Sequence, residues 1–504
     1  MKAPVFDLLI VGGGINGCGI ARDAAGRGLN VLLVEQDDLA SATSSWSSKL
    51  IHGGLRYLEQ YEFRLVREAL QEREVLLKIA PHIIQPLEFI LPHDKHMRPA
   101  WMIRIGLFMY DNIGGKISLP ASRTVMFPDD IYSAALKPAI RRGFFYSDAK
   151  VDDARLTVLN AISARAHGAE VRTRTRVVSG KRDGDVWCVN LRNADSGVEE
   201  SVTARGIVNA AGPWVKQLLD HTLQIPMRAA AKLVKGSHIV VPRVHDQAHA
   251  YILQNDDKRV VFIIPFEEKF SLIGTTDVSV ATVEEGHQIT DAEVKYLLRA
   301  ANRFLSKPLI QADVVWSYAG VRPLYDDGSD NPSEITRDYV LKTDHRNGTL
   351  PLLSIFGGKI TTYRRLAEHA LQELSPYYPE MTPAWTAAEA LPGGEMESLA
   401  EVLNVLVKKF PSLPMDYVQR LTRRHGTNTE KVLKGVRSMA DLGERFGAGA
   451  TLLSQREIDY CIKEEWARKP DDILWRRTKC ALHMAPPERA RAAEFIETRT
   501  AVVR

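Results

Sequence analysis

The chain has 504 residues, 45% hydrophobic and 25% charged, which excludes disordered, collagen-like and disulfide-framework proteins. Its 66 Lys and Arg against 62 Asp and Glu leave a formal net charge of +4, without the strong clustered excess that marks a nucleic-acid binder. The cysteines Cys18, Cys188, Cys461 and Cys480 lie far apart with no C-x-x-C spacing, so no zinc site or redox pair is read and a reducing compartment is expected. No run of about 18 uncharged apolar residues is present, so no transmembrane helix is read.

Phe6 to Val11 reads as a short buried strand, and Asp7 within it argues against a signal peptide. Ile15 to Gly28 reads as a helix with small residues on one side, and Asn30 to Glu35 as a second strand, giving a βαβ unit and an α/β class. Tyr61 to Ala80 reads as a helix whose apolar side is Phe63, Val66, Leu70, Leu76 and Leu77. Arg155 to His167 reads as helix, and Val171 to Val178, Val186 to Leu191 and Gly206 to Ala211 as strands. From His238 to Asp277 the period changes. His238–Val241, Ala250–Gln254, Arg259–Pro265 and Phe270–Thr275 alternate with polar turns, the pattern of an antiparallel meander. Leu352–Phe356 returns as a strand into Gly357-Gly358 and a helix from Thr361. After Leu391-Pro392-Gly393-Gly394 the chain is helical and rich in Arg and Lys. Three domains are expected. A discontinuous Rossmann-like domain comprises 1–90, 145–230 and 345–390. An antiparallel-sheet substrate domain comprises 91–144 and 231–344, and a C-terminal helical domain 395–504.

Gly12-x-Gly14-x-x-Gly17 follows a strand, opens a helix, and has Glu35 at the end of the next strand. Gly12 permits the tight turn, Gly14 the approach of backbone to a pyrophosphate, and Gly17 the packing of helix on strand. The helix N-terminus offers free N–H groups to the diphosphate, and Glu35 accepts from ribose hydroxyls. This spacing marks a dinucleotide site and does not choose between NAD and FAD. Residues 42–57, ATSSWSSKLIHGGLRY, cluster hydroxyls beside Gly53-Gly54. Gly357-Gly358-Lys359 precedes another helix, whose N-terminal dipole suits the negative charge of a reduced flavin.

DLLIVGGGINGCGIARDAAGRGLNVLLVE, ATSSWSSKLIHGGLRYLE, KGSHIVVPR, GTTD, SYAGVRPL, TRDYVL and FGGKITTYR occur here in the order in which they occur in the FAD-dependent glycerol-3-phosphate dehydrogenases. The chain resembles that family over essentially its whole length, DDILWRRTK of the helical cap included, and is most similar to the bacterial respiratory type. No N-terminal transit extension and no EF-hand loop is seen, both of which the mitochondrial relative carries. The resemblance implies a glutathione-reductase-like flavoprotein fold. It implies tightly bound FAD, oxidation of sn-glycerol 3-phosphate to dihydroxyacetone phosphate, and ubiquinone as acceptor.

For FAD the implied set is Gly12, Gly14, Ile15, Asn16, Gly17, Glu35, Thr43, Ser44, Ser48, Lys49, Leu50, His52, Gly53, Gly54, Ala211, Gly212, Gly358, Lys359, Ile360 and Thr361. A phosphate monoester carries a charge of about −1.5 to −2 and needs cations, for which Arg56, Arg322, Arg337 and Lys359 lie in the matched segments. Tyr57 and Thr361 join them as substrate-positioning residues. A base must reach the C2 hydroxyl, and His238 is preferred over His52 because it begins a strand of the substrate sheet. Arg322 and Lys359 complete the catalytic set, Arg322 stabilising alkoxide charge. No metal site is expected. The segment Trp101 to Tyr110 is almost wholly apolar, interrupted by Arg104, and too short to span a bilayer, with Lys95, Arg98 and Lys116 beside it. Either it packs inside the protein or it lies in the membrane interface with Trp101 and Tyr110 at headgroup depth. Peripheral attachment to the cytoplasmic face of the inner membrane and a homodimer are expected, with no nucleic-acid partner for Arg420, Arg423, Arg424, Arg476 and Arg477. A glycerol-phosphate oxidase, which uses oxygen and makes peroxide, is the same-fold alternative.

Overall fold

The computed structural model describes residues 5–94, 97–127, 130–226, 231–257, 259–326 and 338–501. One sheet of eight strands is built around five parallel ones in the order Thr349–Phe356, Glu199–Asn209, Val5–Val11, Val31–Val34 and Glu170–Arg172. Val340–Arg346 closes one edge antiparallel, and the pair Thr175–Asp183 and Val186–Asn193 extends from the first half of Glu199–Asn209. The parallel strands are apolar because both faces are covered. Helices Ile15–Gly26, Asp153–Ala166 and Tyr363–Leu374 pack on one face, and Trp187, Val189, Leu191, Val215 and Leu219 on the other. The small residues of the first helix earn their place by contact: a Cβ on Gly19 would stand 2.8 Å from the ring of Tyr363.

A second sheet of ten strands contains the expected meander, ordered Ala231–Pro242, Phe270–Gly274, Val260–Phe266 and Ala250–Gln254, all antiparallel. Trp316–Tyr325 lines the other side of Ala231–Pro242 over ten paired positions, from Ala231 with Tyr325 to Val240 with Trp316. Helix Asp291–Asn302, started by a Thr290/Glu293 capping box, covers one face of the sheet. Helices Phe63–Ile79 and Ala100–Ile113 cover the other with Val66, Leu70, Leu107 and Tyr110. Phe63, expected on the buried side, is 37% exposed at the first turn of its helix, and Leu77 is half-buried.

The expected domain boundaries differ from the sheet membership. Leu50–Ile51, Ile84–His93 and Arg142–Val151 pair in the second sheet, although 1–90 and 145–230 were assigned to the dinucleotide domain. Val340–Arg346 belongs to the first sheet, not to the substrate segment 231–344. A buried apolar strand reads alike in either sheet, and only its partner assigns it. The C-terminal region holds helices Leu399–Lys409, Met415–His425, Gln455–Glu464 and Pro486–Ala501 around two small cores. It is not wholly helical, since Arg445–Phe446 pairs with Leu453–Ser454. Its arginines are spent inside the chain: Arg420 pairs with Glu267, Arg423 with Glu268, Arg424 with Glu457, and Arg476 and Arg477 with Asp38.

Candidate active site

A cleft runs from the first parallel strands to the face of the second sheet, and the glycine turn forms one end. Gly12 has φ +115°, and a Cβ there would lie 2.4 Å from the Ala210 carbonyl oxygen. A Cβ on Gly17 would lie 1.9 Å from the Gly12 oxygen, so Gly17 packs helix on turn behind the cleft wall instead of lining it. Glu35 braces this end, accepting from Gly13 N–H at 2.6 Å and Asp37 N–H at 2.8 Å. Burial pushes its carboxyl up to about 7, against those two backbone donors, which favour the ionised form.

In the middle, Ser44 Oγ accepts from the Ile15 N–H at 2.9 Å and so caps the helix, while Thr43 donates to the Val321 carbonyl at 2.6 Å and ties the loop to the second sheet. Ala211, Gly212, Leu50 and His52 line the wall. Opposite the glycine turn, Gly358 (φ +102°) brings the start of Ile360–Thr362 against Asn16, whose Nδ2 donates to Gly357 O at 3.2 Å. Asn16 Oδ1 is buried and accepts no hydrogen bond among the described residues.

At the far end, His238, Arg322, Lys359, Tyr57 and Thr361 share the cleft wall. His238 Nε2 lies 2.9 Å from Ser48 Oγ, and its ring stacks on Tyr318 with centroids 4.8 Å apart. Burial, with the nearby charges of Lys49 and Arg322, holds the His238 pKa down to about 3, so the ring is neutral at pH 7. Arg322 is aimed by Asp277 at 2.5 Å and by the Thr276 carbonyl at 3.3 Å. The Lys359 ammonium stands 3.7 Å from the centre of the Tyr57 ring, a cation–π contact. Thr361 accepts from the His52 N–H at 3.3 Å.

The donor set fits FAD. Backbone with no room for a Cβ meets a helix N-terminus at one end. A carboxylate stands where a ribose needs an acceptor, and Asn16 Oδ1 is a buried acceptor left for a donor on the cofactor. The family model for FAD dependent oxidoreductases matches residues 7–364, and that for the C-terminal domain of alpha-glycerophosphate oxidase matches 384–500. The chain is 52% identical to the aerobic glycerol-3-phosphate dehydrogenase of Escherichia coli, with 97% of each chain covered.

The chain belongs to the FAD-dependent glycerol-3-phosphate dehydrogenases.

It is also 48% identical to the D-erythritol 1-phosphate dehydrogenase of Brucella abortus, with 97% of each chain covered. Among solved structures, that of the Bacillus halodurans glycerol-3-phosphate dehydrogenase complexed with FAD superposes with a TM-score of 0.73 at 27% identity, covering 99% of this chain and 95% of that one. FAD is the cofactor of this family member.

Most of the residues expected from sequence come together here, and four of the expected FAD contacts do not. Besides Gly17, Lys49 lies outside the wall: its ammonium bonds Asp153 at 2.9 Å and the Ser45 carbonyl at 2.8 Å. Gly53 and Gly54 also lie outside it, Gly53 N–H donating to the Tyr110 hydroxyl at 2.9 Å. Arg56 is half-buried beyond the wall, and Arg337 falls outside the described residues. Residues not singled out from sequence include Trp46, Thr275 and Gln217 in the wall and Asp277 behind Arg322. Trp46 and Asp277 stand in the matched segments ATSSWSSK and GTTD, which were the available signal.

Ala100–Ile113 is a helix with its apolar side outward: Trp101 is 63% exposed and Phe108 63%, with Met102, Ile105 and Met109 beside them. Tyr110, at headgroup depth in the interfacial alternative, is buried as the packed alternative has it and donates to Asp148 at 2.8 Å. Among the described residues, no helix is long and apolar enough to cross a membrane.

Proposed function

We propose that the chain oxidises glycerol 3-phosphate at C2 to dihydroxyacetone phosphate and delivers the electrons to a membrane quinone such as ubiquinone. The observation that carries this reading is the convergence of His238, Arg322 and Lys359 on the cleft that begins at the glycine turn. Bound FAD supplies the hydride acceptor and holds the two electrons. Arg322 and Lys359 bind the anionic substrate, and Tyr57 and Thr361 position the alcohol. Arg322 also stabilises negative charge developing on the C2 oxygen, and Asp277 fixes its direction.

His238 takes the C2 hydroxyl proton. Ser48 orients its ring, and the neutral form needed of a base prevails at pH 7. The arriving phosphate offsets the Arg322 charge, one of the causes of the low basicity, and so strengthens the base when substrate is in place.

Anaerobic titration of the purified, flavin-replete protein with glycerol 3-phosphate tests the reading. Stoichiometric bleaching of the flavin absorbance is expected, and its absence overturns the substrate assignment. D-erythritol 1-phosphate, the substrate named for the 48% identical relative, is the comparison substrate and is expected to bleach more weakly. Peroxide formed in step with turnover would instead favour the oxygen-using oxidase.

The proposal places the protein peripherally on the cytoplasmic face of the inner membrane, as a homodimer. The exposed side of Ala100–Ile113 enters the interface, with Arg98 and Lys116 near its ends toward anionic lipid. Supporting this are the apolar side chains turned outward on that helix.

A further inference from the structure

Among the described residues, none beyond Thr361 lines the cleft, so the C-terminal domain has no direct part in it. It nevertheless reaches the loop that frames the glycine-turn end. Residues 36–41 put Gln36, Asp37, Ala40 and Ser41 into the cleft wall, while the Asp38 side chain turns inward and is fully buried. Arg477 donates to both Asp38 carboxylate oxygens, at 2.5 and 2.8 Å, and Arg476 Nε donates at 2.8 Å. Both arginines belong to the C-terminal segment Asp472–Arg477. On the other side of the loop, Arg174 donates its backbone N–H to Asp37 O at 2.9 Å and its guanidinium to Asp472 at 2.7 Å.

The grip continues to the glycine turn. A Cβ on Gly13 would stand 2.9 Å from Leu39, the neighbour of Asp38, and Ala40 N–H donates to Gly13 O at 3.0 Å. Taking two carboxylates and three guanidinium groups out of water is expensive, and such pairs add little stability over well-packed apolar side chains. What they define sharply is geometry, since a bidentate arginine accepts one orientation of its carboxylate.

We infer that the C-terminal domain is a clamp on the cofactor site: Arg477, Arg476, Asp472 and Arg174 fix loop 36–41 against the glycine turn through Asp38 and so slow the departure of FAD. None of these side chains lines the cleft, and all act as positioning residues. The inference rests on the cleft being the FAD site and is independent of which polyol phosphate is oxidised.

The holoenzyme carrying Asp38→Asn tests it. After dilution, the fluorescence of released FAD should rise at least about tenfold faster than in the unaltered enzyme, as expected when the carboxylate that accepts from both arginines loses its charge. With FAD in excess, kcat should stay within about twofold, because the reacting end is untouched. The control is Arg420→Met/Glu267→Gln, a largely buried pair that joins the C-terminal region to the second sheet and touches neither the loop nor Arg477. It should lower the melting temperature without speeding release. If Asp38→Asn does not fold, Asp38→Asn/Arg477→Met removes both charges and gives the same readout.

A second measurement needs no substitution. FAD added to the apoprotein should slow hydrogen exchange in residues 472–478 as well as around the glycine turn, because coupling between two sites is reciprocal. Unchanged release from the Asp38 variants, equal acceleration in the control pair, or exchange protection that stops short of residue 472 would each overturn the clamp. Failure of the unaltered chain to bind FAD would overturn the cofactor assignment instead.

Discussion

The two ends of the cleft recognise their ligands by different means. At the glycine turn the backbone does it: Gly12 and Gly14 offer main-chain surface, and Glu35 is braced by main-chain N–H groups. At the far end, under the proposed function, side chains do it, with His238, Arg322 and Lys359 each held by a neighbour. A backbone site tolerates changes of charge and fails at any added atom. A side-chain site tolerates changes of volume nearby and fails at any change of charge or proton affinity. Holding a cofactor and turning over a substrate should therefore be separable by mutation.

The sharpest break is Gly12→Val. The added atoms meet the Ala210 carbonyl, φ +115° is closed to valine, and the purified protein should carry no flavin absorbance and no activity. A colourless Gly12→Val protein beside a fully yellow His238→Gln protein would establish the separation. His238→Gln should keep its flavin and lose turnover by about 10²–10⁴-fold, the usual worth of a general base. Arg322→Met should also keep its flavin and raise KM for glycerol 3-phosphate. A flavin-free His238→Gln or Arg322→Met protein would erase the distinction.

Helix Ala100–Ile113, proposed to meet the membrane interface, lines neither end of the cleft. Ile105→Glu/Phe108→Glu removes two exposed side chains, each worth about 1.5–3 kcal/mol when buried in an apolar phase. Cosedimentation with anionic vesicles should fall by at least about tenfold. Turnover with a water-soluble electron acceptor should not change. Unaltered vesicle binding would remove this helix from the interface.

The smallest effect is on pH. In the apoprotein the Glu35 pKa is raised from 4.5 to about 7, so its contribution to stability is whole below pH 4.5 and fades as pH rises toward 7. For His238 the pKa is lowered from 6.5 to about 3, so its contribution is whole above pH 6.5 and fades as pH falls toward 3. Melting temperatures across this range should show both slopes, each about a few degrees. Glu35→Gln should flatten the first alone and His238→Gln the second alone.

What was legible in sequence follows the same division. Glycine spacing is a backbone requirement written directly in the residues, so the turn, its helix and Glu35 were readable. The meander was readable because its strands alternate with polar turns. Sheet membership of Ile84–His93 and Arg142–Val151 was not, because pairing partners lie far away in the chain. The direction of a cation was not either. Lys49 and Lys359 look alike in their motifs, yet one is bound to Asp153 and the other faces Tyr57 in the cleft. Asp277 behind Arg322 required a pairing across two strands separated in sequence. The outward turn of Ala100–Ile113 depended on which side of an almost wholly apolar helix met the sheet, and periodicity carries little information there.

The strand order also bears on synthesis. Val5–Val11 leaves the ribosome first and soon meets Val31–Val34, but its other neighbour in the sheet is Glu199–Asn209, and beyond that lies Thr349–Phe356. The nascent chain thus carries its glycine turn in an unfinished sheet until residue 356 has emerged, and it needs protection from aggregation over that interval. Flavin capture becomes a late event, following emergence of residue 356, and Asp472–Arg477 arrives later still. A ribosome stalled between those two points should hold a chain that takes up flavin and readily gives it back.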